Sequence, residues 1–227
     1  MSAFSIFELI KFCFLGPPKN ALKWKLCPLS NWTPSDSSTS PNDWNNNTFK
    51  ISVIGETSVG STSICKRFIH DEINQKRVPS MGPDCWVKEL DIDTNLVNLQ
   101  IWNIRGFGYS EGGEAVSIEK DWKPIKDYVC KHCNSVILVY DVTSVKTFSN
   151  LEKYLNYLNL DKSVLKILVG NKIDLREKRV VSTEQGIQFA ERNEMRFLET
   201  SALKNMNKDE LFEIVSSTIL LCATQKI

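Results

Sequence analysis

The chain has 227 residues, enough for one globular domain with an appendage, and a formal net charge of +1 gives no electrostatic case for a nucleic-acid partner. Its seven cysteines are scattered and odd in number, which suits free thiols in a reducing compartment better than a disulfide framework. No apolar run reaches the roughly 18–20 residues that cross a bilayer.

Residues 1–29 open with an apolar stretch, Phe4 to Leu15, interrupted by Glu8 and Lys11. It has no basic lead and no clear small-residue cleavage site, so it does not read as a secretory signal. Residue 2 is Ser, which excludes N-myristoylation. Two readings stand: an interfacial helix, or a segment that packs on the domain or trails as a poorly ordered tail. Residues 30–48 combine Ser, Asn, Pro and Asp with Trp32 and Trp44, the composition of a disordered linker. The domain is expected to run from 49 to 222, with 223–227 as a short tail.

From Phe49 strand and helix patterns alternate. Strand signals fall at 49–54, 85–92, 96–102, 135–141, 165–170 and 196–199. Val136–Tyr140 and Leu165–Val169 are near-continuous apolar runs, as expected of strands covered on both faces. Asp93-Thr94-Asn95 joins the second and third strands in a hairpin. Phe148, Leu151, Tyr154, Leu155 and Leu158 form one core-facing helical stripe, and Lys208 to Cys222 predicts the last helix. The fold class is α/β, a doubly wound and mostly parallel sheet with one antiparallel edge strand, and ligands in such sheets bind beyond the carboxyl ends of the strands.

The first of those ends carries Gly55-Glu56-Thr57-Ser58-Val59-Gly60-Ser61-Thr62. Strand, glycine-punctuated loop and helix together let backbone N–H groups and a helix N-terminus cradle phosphates. The spacing is that of a P-loop, G-x-x-x-x-G-K-[ST], with Ser61 where the lysine belongs. Candidate phosphate contacts are Gly55, Ser58, Val59, Gly60, Ser61, Thr62, Ser63 and Gly106.

Asn171-Lys172-Ile173-Asp174 follows the fifth strand. A carboxylate there can accept from both the ring N–H and the exocyclic amine of guanine, a pattern adenine cannot offer. Glu199-Thr200-Ser201-Ala202-Leu203 follows the sixth strand; the Ala202 N–H can reach the guanine oxygen, and Ser201 can equally cap a helix start. Candidate guanine contacts are Asn171, Lys172, Asp174, Ser201, Ala202 and Leu203.

These runs, with Leu99-Gln100-Ile101-Trp102 and Leu138–Thr143, resemble the Ras superfamily of small GTPases and within it the Rab branch. The resemblance covers about 49–220, and the Rab pattern lies on Gly82–Trp102 without a gap. It implies the P-loop NTPase fold, GTP or GDP with Mg2+, effector and regulator proteins on the switch regions, a monomer, and a cytoplasmic place peripheral to an endomembrane. Rab proteins usually end in a tail with prenylated cysteines; Cys222 is not placed as a C-a-a-X cysteine, so a membrane contact is expected through residues 1–29 or a partner.

The departures fall on the phosphate side. In the family the P-loop lysine bridges the β- and γ-phosphates, and Ser61 stands there. Thr62 keeps the metal-binding hydroxyl, Ser80 stands for a switch threonine between Pro79 and Pro83, and Asn103 removes a carboxylate from the metal's second shell. Metal contacts are therefore Thr62 and Ser80, at a weakened site. Phe107 occupies the position of the water-orienting glutamine, roughly a dozen extra residues follow Gly106, and Leu203 replaces a lysine at the base. No catalytic residue is assigned. Arg105 is a cis cation or, more simply, a solvated loop arginine.

The expected function is guanine-nucleotide binding in vesicle trafficking or signalling with strongly impaired hydrolysis; the alternative is a nucleotide-free pseudo-GTPase scaffold. Cys130-Lys131-His132-Cys133 lacks the second ligand pair of a structural zinc site and reads as thiols, His70 as a solvated helix end, and Arg176, Lys178 and Arg179 as a solvated loop face.

Overall fold

The structure is a computed structural model that describes residues 48–70, 84–92, 95–105, 123, 126, 133–211 and 213–215. The expectations for residues 1–47, His132, Ser80, Gly106, Phe107, the insertion that follows, and the tail lie outside the described residues.

Six strands form one sheet: β1 (Thr48–Gly55), β2 (Asp84–Ile92), β3 (Asn95–Arg105), β4 (Ser135–Asp141), β5 (Leu165–Asn171) and β6 (Arg196–Thr200). Their order is β2-β3-β1-β4-β5-β6. The β2–β3 pair is antiparallel; every other pair is parallel. This is the doubly wound, mostly parallel sheet with one antiparallel edge strand that the sequence predicts. Strands extend one to three residues beyond their predicted ends where pairing continues past the apolar pattern; β3 reaches Arg105 because Gly55 of β1 still pairs with it.

Parallel strands need crossovers, and these put helices on both faces. The strands read apolar throughout for that reason: all seven residues of β4 are buried. On one face α1 (Ser61–His70) packs Ile64, Cys65 and Phe68 against Ile51, Val53, Ile101, Ile137 and Ile167, with Leu211 and Val215 of the final helical stretch beside them. On the other, α2 (Val145–Ser149), α3 (Leu151–Leu158) and α4 (Thr183–Arg192) cover Ile54, Ile104, Leu138, Tyr140 and Leu168.

One predicted helix is two. The stripe from Phe148 to Leu158 breaks at Asn150, which caps α2 and begins α3, while its Nδ2 donates to Glu56 Oε1 at 2.5 Å. A short polar side chain with a tertiary partner here outweighs helical continuity. Leu151, Tyr154 and Leu158 still face the core. α4 starts with a reciprocal capping box between Ser182 and Gln185.

One loop reading changes and one holds. Arg176 and Lys178 are exposed, but Arg179 is half-buried and forks onto Glu199, Nη1 to Oε1 at 2.6 Å and Nη2 to Oε2 at 3.1 Å, with Val181 O and Thr183 Oγ1 also accepting from it. A bidentate carboxylate fork draws the side chain out of water, and the Glu199 bond holds the guanidinium above its ordinary pKa. Cys133 is buried, its Sγ 2.6 Å from Ser52 Oγ.

Candidate functional site

Because β1, β3, β4, β5 and β6 run parallel, their carboxyl ends share one edge of the sheet, and the three motif loops meet there. The loop after β1 turns back sharply over that edge. Ser58 and Gly60 both take positive φ, 71° and 95°. Gly60 is required twice over: its backbone lies in the left-handed region, and a Cβ there would meet Asn171 Nδ2 at 2.3 Å. Gly55 is required by space, since a Cβ would stand 2.6 Å from Val59 Cγ2. Positive φ on either side of Val59, whose own N–H donates to Glu56 O, turns the loop backbone back toward the helix start, as an anion nest requires. The loop's charged residue is Glu56, tied to Asn150. Ser61 is the first residue of α1 and is buried, and the helix begins three residues before Ile64 opens its apolar pattern.

Asn171 joins that loop to the rest of the site. Its Nδ2 donates to Val59 O at 2.8 Å, and its Oδ1 accepts from Thr200 Oγ1 and from the Ala202 N–H, both at 3.2 Å. Every polar atom of this buried carboxamide is engaged within the protein. Predicted as a base contact, Asn171 is placed as a tie between three loops. Lys172 follows with φ 71° and gives its ammonium to Asp141 at 2.5 Å. Asp141 also accepts from the Thr143 N–H and Oγ1 at 2.8 and 2.7 Å. Burial pushes the Asp141 carboxyl up, but the Lys172 and Thr143 bonds outweigh it and hold it below the ordinary value.

Asp174 accepts from Ser201 Oγ at 2.5 Å through Oδ1, and no described residue donates to its Oδ2. The Ser201 hydroxyl in turn accepts the Lys204 N–H at 3.0 Å. Ser201 does not start a helix: residues 201–206 form a turn closed by paired Ser201–Met206 backbone bonds, and helix resumes at 208. Leu203 is 53 % exposed on that turn. Sequence reasoning missed what holds the turn: Arg67 of α1 donates from Nε to Ala202 O and from Nη2 to Leu203 O, both at 3.2 Å, and Asn207 Nδ2 donates to Glu199 O at 2.7 Å. No local pattern marks Arg67, because its acceptors lie 135 and 136 residues away.

At the metal position the pairing of Val53 with Asn103 brings β3 beneath α1. Asn103 Nδ2 donates to Thr62 Oγ1 at 2.9 Å, and Asn103 Oδ1 is buried with no hydrogen-bond partner. Turning the carboxamide over would exchange the orphaned atom and leave the pair as neutral. Magnesium wants hard oxygen ligands and a carboxylate-rich surround. Here the carboxylate position holds a neutral amide bonded to the one described hydroxyl, and a donor set with no carboxylate does not fit that ion. Among the described residues no group of three His, Cys, Asp or Glu side chains gathers as a metal site.

Comparison with known proteins agrees with this architecture. The Ras family model matches residues 50–221. Ras-related protein Rab-13 of Bos taurus is 33 % identical over 175 residues, covering 76 % of this chain and 80 % of that one. The dog protein of the same name is 32 % identical over the same span, and Ras-related protein RABA1f of Arabidopsis thaliana is 33 % identical over 180 residues, 78 % of this chain and 77 % of its own. With the sheet order, the P-loop-like turn and the base-side loops in place, the chain belongs to the Ras family of small GTPases, in its Rab-like branch.

Proposed function

We propose that this Rab-like protein binds guanine nucleotides, serves vesicle trafficking through effector and regulator proteins on its switch surface, and hydrolyses GTP very slowly or not at all. The observation that carries the reading is the contrast between the two halves of one site. Apart from the lysine that Leu203 replaces, the base side keeps its groups: Asp174 has Oδ2 free of described donors, Ser201 fixes its other oxygen, and Arg67 and Asn171 hold the Ala202 turn. The phosphate side keeps its loop backbone and lacks two charges and an amide: Ser61 in place of lysine, Asn103 in place of the carboxylate, and Phe107 in place of glutamine.

Phosphoryl transfer is mostly positioning and charge stabilisation, so these losses bear on turnover far more than on base recognition. One lost charge-assisted bond costs about 1.5–3 kcal/mol, roughly 10–150-fold in affinity, which a tightly binding fold can absorb. Ordinary turnover would need a substitute cation, with Arg105 and Lys66 as the candidates in sequence. The protein acts as a monomer peripheral to an endomembrane, reached through residues 1–29 or a partner.

Nucleotide content tests the reading first. Denatured protein is expected to release guanine nucleotide on anion exchange, or the refilled protein to bind fluorescent GDP at micromolar or better with loss in Asp174→Ala. No nucleotide and no binding near millimolar concentrations would leave a folded scaffold defined by its protein partners.

A further inference from the structure

We propose that this pocket takes guanine nucleotides without magnesium, its backbone nest and not a cation meeting the phosphates. The inference rests on the guanine-binding reading above and concerns the opposite end of the same site.

Asn103 holds the place of the missing carboxylate. It is 3 % exposed, it faces the one described metal-position hydroxyl, and it leaves a buried acceptor unsatisfied. A carboxylate at this place would accept from a metal's water and add one negative charge to balance a divalent ion. The carboxamide adds none, and its N–H donates to the Thr62 oxygen that a metal would share. The cross-strand neighbour of Asn103 is Asp84, and this is the carboxylate nearest in register. It lies across the strand pair, within electrostatic reach of the buried Cys65 thiol rather than bonded to Thr62.

Charge around the phosphate loop points the same way. Residues 55–62 carry Glu56 and no cation. Arg67 is engaged with Ala202 and Leu203, and Lys172 with Asp141. Lys66 and Arg105 stand outside the loop, Arg105 paired with Gly55 in register; within the loop a phosphate meets the backbone, with Ser58 and Gly60 at positive φ, and the N-terminus of a ten-residue helix. Those partial charges bind a phosphate oxygen with or without a metal. Affinity is therefore expected to be the same in magnesium and in chelator.

The test is titration of fluorescent GDP into the full chain in magnesium and in EDTA, read as a dissociation constant. The two constants are expected to agree within about threefold, a difference below one hydrogen bond. Asn103→Asp is expected to create a magnesium dependence, and Ser61→Lys to tighten GDP in both buffers by about tenfold or more. Weakening of more than about tenfold in EDTA for the unmodified chain overturns the proposal; loss of that weakening in Asp84→Asn would then name Asp84 as the stand-in carboxylate. Failure to bind GDP in either buffer, with Asp174→Asn no different, sinks the guanine reading itself and this inference with it. Because the deciding measurement is made on the unmodified protein, a variant that does not fold leaves the answer intact.

Discussion

Asn171→Ala removes the tie at the centre of the site, and its cost can be worked from three bonds. The substitution leaves Val59 O without its Nδ2 donor and the Ala202 N–H without its acceptor, while Val59 is fully buried and Ala202 is 6 % exposed. A buried backbone group left unsatisfied costs about 1–3 kcal/mol, so the pair amounts to about 4 kcal/mol, with the Thr200 hydroxyl taken as free to reorient. A domain has about 5–15 kcal/mol in all, so the variant is expected to fold and to melt lower. At about 2–4 °C per kcal/mol for a domain of this size, the midpoint falls by about 8–16 °C. Urea and thermal unfolding followed by circular dichroism give the number, with Thr200→Val as the control that removes one hydroxyl. Asn171→Asp sharpens the reasoning: it keeps the volume but sets an oxygen 2.8 Å from Val59 O in a site 2 % exposed, so it should be at least as damaging as alanine. An Asn171→Ala protein within about 1 kcal/mol of the parent, or a benign Asn171→Asp, would refute the tie.

Ser58→Gly relieves a non-glycine residue at φ 71° and should stabilise the fold by about 0.5 kcal/mol after the added chain entropy of glycine, read as a higher urea midpoint; a clear loss of stability would mean the Ser58 side chain contributes a bond that outweighs its strain. Asp141 titrates below its ordinary value of 3.8 in the folded protein, so its contribution is present above about pH 4 and lost as the pH falls through the lower folded value. The stability gap between the parent and Asp141→Asn should accordingly shrink on acidification below pH 4, and a gap that stays constant would show that Lys172 and Thr143 do not favour the charged form. Arg179→Lys keeps the charge and loses the fork onto Glu199, with an expected cost of about 1–2 kcal/mol in chemical denaturation. Arg67→Ala should weaken guanosine-nucleotide binding and lower the melting point by less than Asn171→Ala, because one of its two acceptors, the Leu203 carbonyl, lies on the exposed turn; an unchanged dissociation constant would remove Arg67 from the site.

The sheet was legible because burial on both faces writes itself into the strands as continuous apolar runs. Val136–Tyr140 and Leu165–Val169 could be read as central strands before any pairing was known, and both lie in the middle of the sheet. The two ends of the site were legible for a related reason: a backbone cradle needs glycine at fixed spacing, and guanine selection needs one carboxylate after a strand. Boundaries were less legible. Helix α1 starts at Ser61, ahead of its apolar pattern, because the loop geometry and not side-chain burial sets its first turn. The stripe from Phe148 to Leu158 hides the break at Asn150, since the partner that favours it, Glu56, is 94 residues away.

By itself, then, the amino-acid sequence determined the α/β class, the strand order's parallel character, the family, and the absence of lysine, carboxylate and glutamine from three phosphate-side positions. Those are properties of residue type and local period, which the chain carries without folding. The tertiary structure alone decided the roles. It made Asn171 a tie between three loops, Arg67 a clamp on the base-side turn, Arg179 half of a half-buried fork with Glu199, and Asn103 the owner of an unsatisfied buried oxygen beside Thr62. Each of those roles depends on hydrogen bonds between groups far apart along the chain, and their directions are set when the sheet brings its carboxyl ends to one edge.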